Sequence, residues 1–145
     1  MTGDQAREVS RLLSLFFRGS KRIFHFGWCE GADDQAAFLA RTFGYLLVAH
    51  PGPGESKRGT IVPNEIQGDE IREPKSYLAR NRDIVDESWV VIAAPKDDAE
   101  LLRSGTWATI RYARKVERPL YIIWPDGTLK YIHRPPSKLK LQKGS

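Results

Sequence analysis

Short apolar segments alternate with helical segments along the chain, and this alternation constrains the fold more than any other feature. Strands that are apolar on both faces are typical of a parallel sheet covered by helices on two sides. The sequence therefore predicts an α/β fold, a Rossmann-like three-layer domain with a mostly parallel sheet. The predicted strands are residues 22–26, 45–49, 89–94 and 120–124, with a short addition at 128–133, and the predicted helices are residues 4–17, 32–43, 76–87 and 105–116.

Length and charge predict a single domain of residues 1–133 followed by a basic, flexible tail of residues 134–145. The hydrophobic share of 41% and the charged share of 28% are those of a globular protein with an ordinary core. The net charge is +5, and the tail supplies most of it. In some proteins such a tail makes non-specific contacts with nucleic-acid phosphates. In most proteins such a tail is only a solvated chain end.

The sequence carries no signal for a membrane, a secreted or a metal-binding protein. No apolar run approaches the roughly 20 residues that span a bilayer, and the first residues do not resemble a secretion signal. A single cysteine, Cys29, permits no intramolecular disulfide. His25, His50 and His133 have no familiar metal-site spacing. A cytoplasmic location is predicted, with no metal, no cofactor and no membrane partner.

A glycine turn between a predicted strand and a predicted helix is the clearest chemical signal. Ser104, Gly105, Thr106 and Trp107 follow the apolar segment that ends at Pro95. Backbone N–H groups at a helix start attract anions, and the two hydroxyls add donors. The turn predicts binding of a phosphate-bearing small molecule, a nucleotide or its derivative. Simple capping of the helix by Ser104 or Thr106 accounts for the same residues.

A second glycine turn has the same arrangement of strand, turn and helix. Gly27, Cys29 and Gly31 follow the first predicted strand, and Ala32 and Asp33 open the next helix. Glycines permit close approach of a ligand, and Asp33 is predicted to bind a ribose hydroxyl or a base. Stabilisation of the helix start is the alternative role for Asp33. For Cys29 the alternatives are a reactive thiol and a small buried side chain.

Two arginines and a histidine complete the predicted site. Arg80 and Arg82 flank Asn81 on a helix and offer forked donors to phosphate. Because neighbours on a helix face are three or four residues apart, one arginine should face the ligand and the other solvent or an ion pair. His50 directly follows a strand, where it acts as an acid or base, or else bonds to backbone.

Taken in order, these segments resemble the SLOG superfamily. It comprises Rossmann-like proteins related to the LOG phosphoribohydrolases and to the nucleotide-binding domain of DNA-processing protein A. The chain is most similar to the small YpsA-related members. The resemblance covers about residues 1–128 and implies a nucleotide-derived ligand with its phosphate at Ser104 to Trp107. The segments that carry it are residues 24–33, 50–51, 77–85, 92–95, 104–109 and 125–127.

The chain departs from this family at three places. LOG enzymes have a glutamate a few residues after their Gly-Thr, and Thr109 stands there. Trp28 is bulkier than the expected residue, and it restricts the pocket or stacks on a base. Relatives also begin with a strand ahead of the first helix, and that strand lies in mid-sheet. We expect one of four explanations for the missing strand. The protein starts earlier than this sequence, the neighbouring strands close the gap, a second copy of the chain in a homo-oligomer fills the gap, or residues 128–133 fold into the gap.

The function predicted first is binding or sensing of a nucleotide-derived ligand, because no catalytic dyad is visible. The alternative is an N-glycosidase that acts on a nucleotide, which needs a carboxylate near the ribose. Asp33 is then the catalytic candidate, with Glu55 or Glu73 behind it. A second alternative is a DNA-binding accessory protein that uses the tail and the arginine helix.

Overall fold

The computed structural model describes residues 1–17, 22–29, 31–54, 58–100 and 104–132. The predicted basic tail, His133 and Glu55 lie outside the described residues. The predictions made for them are therefore untested.

Four helices occur within the described residues, and local capping explains where three of them begin. They are α1 (Gly3–Phe16), α2 (Ala32–Thr42), α3 (Tyr77–Glu87) and α4 (Gly105–Lys115). The hydroxyls of Thr2, Ser76 and Ser104 accept backbone N–H groups in the first turns of α1, α3 and α4. Helix α2 starts instead at Gly31, with φ of 93° and no side-chain cap. All four predicted helices are present, and no end differs from the prediction by more than one residue.

Among the described residues, six strands form two small sheets, which corrects the expectation of a single sheet. In the first sheet, β1 (Ile23–Phe26), β2 (Leu46–Ala49) and β3 (Glu70–Ile71) are all parallel. In the second, β4 (Val91–Ala93) is parallel to β5 (Leu120–Ile123), and β6 (Leu129–Ile132) is antiparallel to β5. The fold is therefore α/β with mostly parallel sheets, compatible with a Rossmann-like arrangement.

No strand ladder joins the two sheets among the described residues. Within the described residues β1 pairs only with β2, and β4 pairs only with β5, so the strands do not close up. The hairpin between β5 and β6 places Leu129 opposite Ile123, at the far side of the second sheet. The prediction that residues 128–133 fold back into the gap is therefore wrong. Completion by a second copy stays a prediction.

Two hydrophobic cores lie on opposite faces of the sheets, each under a pair of helices. Alternate residues of β5 point to opposite cores, with Ile123 in the first and Leu120 and Ile122 in the second. The first core holds apolar residues of α1 and α2 together with Phe26 and Leu47. The second holds residues of α3 and α4 against β4 and β5. This layering matches the predicted burial of strands on both faces.

The long segment between β2 and α3 contains more structure than the sequence indicates. A 3-10 turn (Glu65–Gln67) leads into β3, which extends the first sheet by two exposed residues. The buried Asp69 fixes this segment, because its carboxylate accepts N–H groups from Leu47 and Asn64 at 2.8 and 2.7 Å. Among the described residues, no helix has the length and apolar character that crossing a membrane requires.

Candidate functional site

Arg80 holds the carboxyl ends of β1 and β2 together. It lies in the first turns of α3 and is only 7% exposed. Its Nη1 donates to the carbonyl of Gly27 at 2.6 Å and to that of His50 at 3.1 Å. Its Nε donates to the Asn81 side chain at 2.7 Å. The guanidinium charge thus lies at the two strand ends where the sequence predicts a ligand.

Arg82 points elsewhere, as the helical spacing predicts. It is exposed, and its guanidinium carbon lies 5.1 Å from the ring centre of Tyr112 on α4. Helix α3 therefore offers the strand ends one arginine. On this helix Arg82 is available to contact DNA, whereas Arg80 is already hydrogen-bonded to the strand ends.

The turn after β1 is built around the carboxylate of Asp33. Its Oδ2 accepts the N–H of Cys29 at 3.2 Å, so the carboxylate bonds to the turn that precedes α2. Burial raises the pKa of the Asp33 carboxyl above its ordinary value. The Cys29 N–H and the Arg80 charge act to lower this pKa, but burial outweighs them. A carboxyl in this position is engaged in structure before any ligand arrives.

Gly27 is required by close approach in this turn. A Cβ placed there would lie 2.6 Å from Arg80 Nη1 and 3.1 Å from Asp33 Oδ2. Cys29 is a free, half-buried thiol whose Sγ lies 3.7 Å from Arg80 Nη1. Gly31 is exposed and has no described protein atom within 4 Å of an added Cβ. The turn is thus closed on the Arg80 side and open at the start of α2.

His50 meets a residue that the sequence did not connect with it. His25 on β1 pairs with Val48 across the ladder, so His50, two residues further on, projects to the same face. The rings are in contact, with His25 Nδ1 2.9 Å from His50 Nε2. Burial lowers the pKa of His50 to about 4, with the neighbouring His25 acting in the same direction.

A cavity of about 270 Å³ opens beside His50 and Arg80 at the strand ends. Part of its charged wall comes from residues 72–75, which the sequence assigns to no helix or strand. A dense run of charge from Glu70 to Lys75, just before α3, is the sequence signal that could have located this wall. The lining residues are His50, Arg72, Glu73, Lys75, Arg80, Asp83 and Glu87.

The turn before α4 has the geometry of a capped helix start with an open face. Ser104 Oγ accepts the N–H of Trp107 at 3.3 Å, and Ser104 O accepts that of Ala108 at 2.9 Å. Within the described residues, the N–H groups of Gly105 and Thr106 have no acceptor. Beyond its two chain neighbours and the backbone of its own helix, no described atom lies within 4 Å of a Cβ added to Gly105. Gly105 is exposed, and N–H groups at a helix start favour negative charge.

Trp107 and Pro95 contribute to the core around this turn. Trp107 is 4% exposed, and its ring centre lies 5.7 Å from that of Trp124. The Pro95 carbonyl accepts from Gln5 Nε2 at 2.8 Å, and the same nitrogen donates to the Ile123 carbonyl at 3.0 Å. Gln5 on α1 thus ties together the carboxyl ends of β4 and β5.

The structure brings the predicted residues together as two groups. Gly27, Cys29, Asp33, His50 and Arg80 form one connected group at the first sheet. The turn that begins at residue 104 forms the other group, at the second sheet. No hydrogen bond or ion pair joins the two groups among the residues that the structure describes.

Comparison with protein-family models, with curated proteins and with solved structures finds no match. The resemblance to the SLOG superfamily is therefore still a prediction from sequence.

Proposed function

We propose that the chain binds a phosphate-bearing nucleotide or nucleotide derivative at the carboxyl ends of its parallel strands. The observation that carries the proposal is the open start of α4. The N–H groups of Gly105 and Thr106 have no acceptor in the described part of the chain, and the space above Gly105 is clear of described atoms. Ser104 Oγ accepts a hydrogen bond there and still has a proton to donate.

The position of this turn in the fold supports the proposal. Parallel α/β sheets bind ligands beyond the carboxyl ends of their strands, where helices begin. Helix α4 begins after β4, which is parallel to β5, and α2 begins after β1, which is parallel to β2. The positive ends of the two helix dipoles favour negative charge at these starts. The proposed finer fold is a Rossmann-like domain of the SLOG type.

Arg80 supports the same ligand class at the first sheet. Its side chain lines the cavity, and its charge also acts on the nearby Asp33 carboxyl. Two backbone carbonyls hold its Nη1, which fixes the guanidinium in position. A pre-positioned guanidinium loses little conformational entropy when it binds an anion.

Hydrolysis of a nucleotide N-glycosidic bond is the second candidate. The observation that favours it is the half-buried Asp33 carboxyl, whose pKa burial raises above its ordinary value, because a general acid or base needs a carboxyl placed near the ribose. Its hydrogen bond with the Cys29 N–H argues for a structural role. The Asp33→Asn variant separates these roles, because cleavage that depends on the carboxyl stops in this variant while ligand binding continues.

The binding proposal is tested by a thermal-shift screen with AMP, ADP-ribose and a cyclic dinucleotide. A ligand that binds the folded chain raises its melting temperature by mass action. Chromatography of the recovered ligand then separates binding from hydrolysis. An intact ligand supports the binding proposal, and free base with sugar phosphate supports the enzyme.

Two variants locate the site. Gly105→Ala adds a Cβ into space free of described protein atoms, so the fold should tolerate it while the ligand loses its close approach. Thr109→Val is the matched control, because the Thr109 hydroxyl already donates to the Gly105 carbonyl at 3.0 Å. We expect Gly105→Ala to weaken binding at least tenfold and the control to bind as the parent does. Equal binding by all three proteins would contradict the proposed site.

A further inference from the structure

His25, His50 and Glu87 form a cluster that the nucleotide proposal does not use. Each offers one ligand atom, and these atoms all lie within 4.8 Å of one another. His25 Nδ1 lies 2.9 Å from His50 Nε2 and 4.0 Å from Glu87 Oε1. Two imidazole nitrogens and one carboxylate oxygen are a donor set that zinc prefers.

Three separate elements hold this cluster in place. His25 belongs to β1, and its side chain is 8% exposed. His50 follows β2 and is 3% exposed. Glu87 is the last residue of α3, which Arg80 fastens to the ends of β1 and β2. The ligand atoms therefore converge because the strand register and the helix docking are both fixed.

We propose that His25, His50 and Glu87 bind one zinc-like divalent cation, with a fourth coordination position open to the adjoining cavity. Zinc bonds to nitrogen at about 2.0–2.1 Å, and tetrahedral geometry then places ligand atoms about 3.3 Å apart. To reach this spacing, His25 Nδ1 and His50 Nε2 need to separate by a few tenths of an ångström. Glu87 Oε1 needs to move towards His25 Nδ1 by somewhat more than that. Three protein ligands with one open position are typical of zinc sites that bind a water or a substrate.

Arg72 orients the carboxylate ligand. Its Nη1 lies 3.1 Å from Glu87 Oε2 and its Nη2 lies 2.9 Å from Glu87 Oε1. Carboxylates that bind metals commonly accept such a second hydrogen bond, which fixes their orientation. Arg72 also pairs with Glu70 at 3.2 Å, so its positive charge is shared between two carboxylates. A cation beside Glu87 therefore meets an arginine whose charge is already paired.

Zinc titration of the full chain by isothermal calorimetry, after treatment with a chelator, tests the proposal. We expect one Zn²⁺ per chain, and Co²⁺ at the same site should give the visible absorption of a four-coordinate ion. His25→Gln and Glu87→Gln should each weaken zinc binding at least tenfold. Glu87→Gln keeps the side-chain shape at a partly exposed position, so this variant remains informative if His25→Gln fails to fold.

His133→Gln is the control, because it removes the third histidine of the chain and keeps the proposed ligands. This variant should bind zinc as tightly as the parent. The proposal is overturned if the parent binds no zinc, or if Glu87→Gln binds it as tightly as the parent. It is also overturned if His133→Gln loses binding to the same extent as the ligand variants.

Discussion

Replacing Gly27 by alanine should destabilise the fold through one specific collision. The added Cβ would lie 2.6 Å from Arg80 Nη1, where ordinary contact begins at 3.4 Å. Arg80 is buried and bonded to two strand-end carbonyls, so it cannot swing away without losing those bonds. Overpacking costs about 1–3 kcal/mol, and each lost charged hydrogen bond costs about as much. We expect Gly27→Ala to lower the free energy of unfolding by about 2–4 kcal/mol.

A double-mutant cycle with Arg80→Ala isolates the collision. Arg80→Ala alone leaves the Gly27 and His50 carbonyls without this donor, which should cost about 3–5 kcal/mol. Once the guanidinium is gone, the closest atom to the new Cβ is Asp33 Oδ2 at 3.1 Å. Gly27→Ala should then cost about 1 kcal/mol or less in the Arg80→Ala background.

Urea unfolding at neutral pH measures all four proteins of the cycle. Gly3→Ala is the control for adding a methyl group, because no described protein atom lies within 4 Å of its Cβ position. This control should change stability by no more than about 0.5 kcal/mol. If the costs of Gly27→Ala and Arg80→Ala simply add, Arg80 does not occupy the space beside Gly27, and the proposed collision is refuted.

Three further predictions concern single hydrogen-bonding side chains. Burial acts to raise the pKa of the Asp34 carboxyl, but the Ile61 N–H and the Thr60 hydroxyl and N–H outweigh it and lower that pKa. Asp34→Asn should therefore lower the free energy of unfolding by about 1 kcal/mol at pH 7. Urea titrations should show that this difference between variant and parent shrinks as the pH falls below 3.8, the ordinary pKa of the carboxyl. A difference that is independent of pH would contradict this prediction. Gln5→Ala removes a buried donor to the carbonyls that end β4 and β5, so chemical denaturation should show a loss of about 2–3 kcal/mol, and a loss below about 0.5 kcal/mol would show that the link is dispensable. Tyr45→Phe removes the 2.7 Å bond to a carbonyl of α1, and its melting temperature should fall by roughly 2–8 °C, whereas an unchanged value would argue against that bond.

The helices could be predicted because their determinants are local. Apolar spacing marks the buried faces, and Ser76 and Ser104 stand where two of the helices begin. The strand β3 could not be predicted, because Glu70 and Ile71 are exposed and make only a two-residue ladder. Its existence depends on the turn that Asp69 stabilises, which is a tertiary feature.

The sequence identifies individual residues of the candidate site, but it does not predict which of them come into contact. Helical spacing shows that Arg80 and Arg82 diverge, but only the docking of α3 decides which one is buried. The meeting of His25 with His50 depends on the register that pairs His25 with Val48. Sequence spacing alone carries no information about that register. The position of Asp33 at the start of α2 follows from the sequence, whereas its hydrogen bond with Cys29 depends on how the turn closes.

A titration of the ¹⁵N-labelled chain with ADP-ribose, followed by amide NMR, tests the phosphate turn most directly. Binding at the start of α4 should shift the amide signals of Gly105 and Thr106 and should do so at the concentration that raises the melting temperature. Gly105→Ala should move the same titration to at least tenfold higher ligand concentration. If saturating ADP-ribose leaves those two amides unmoved, or fails to bind, the proposed phosphate site is wrong.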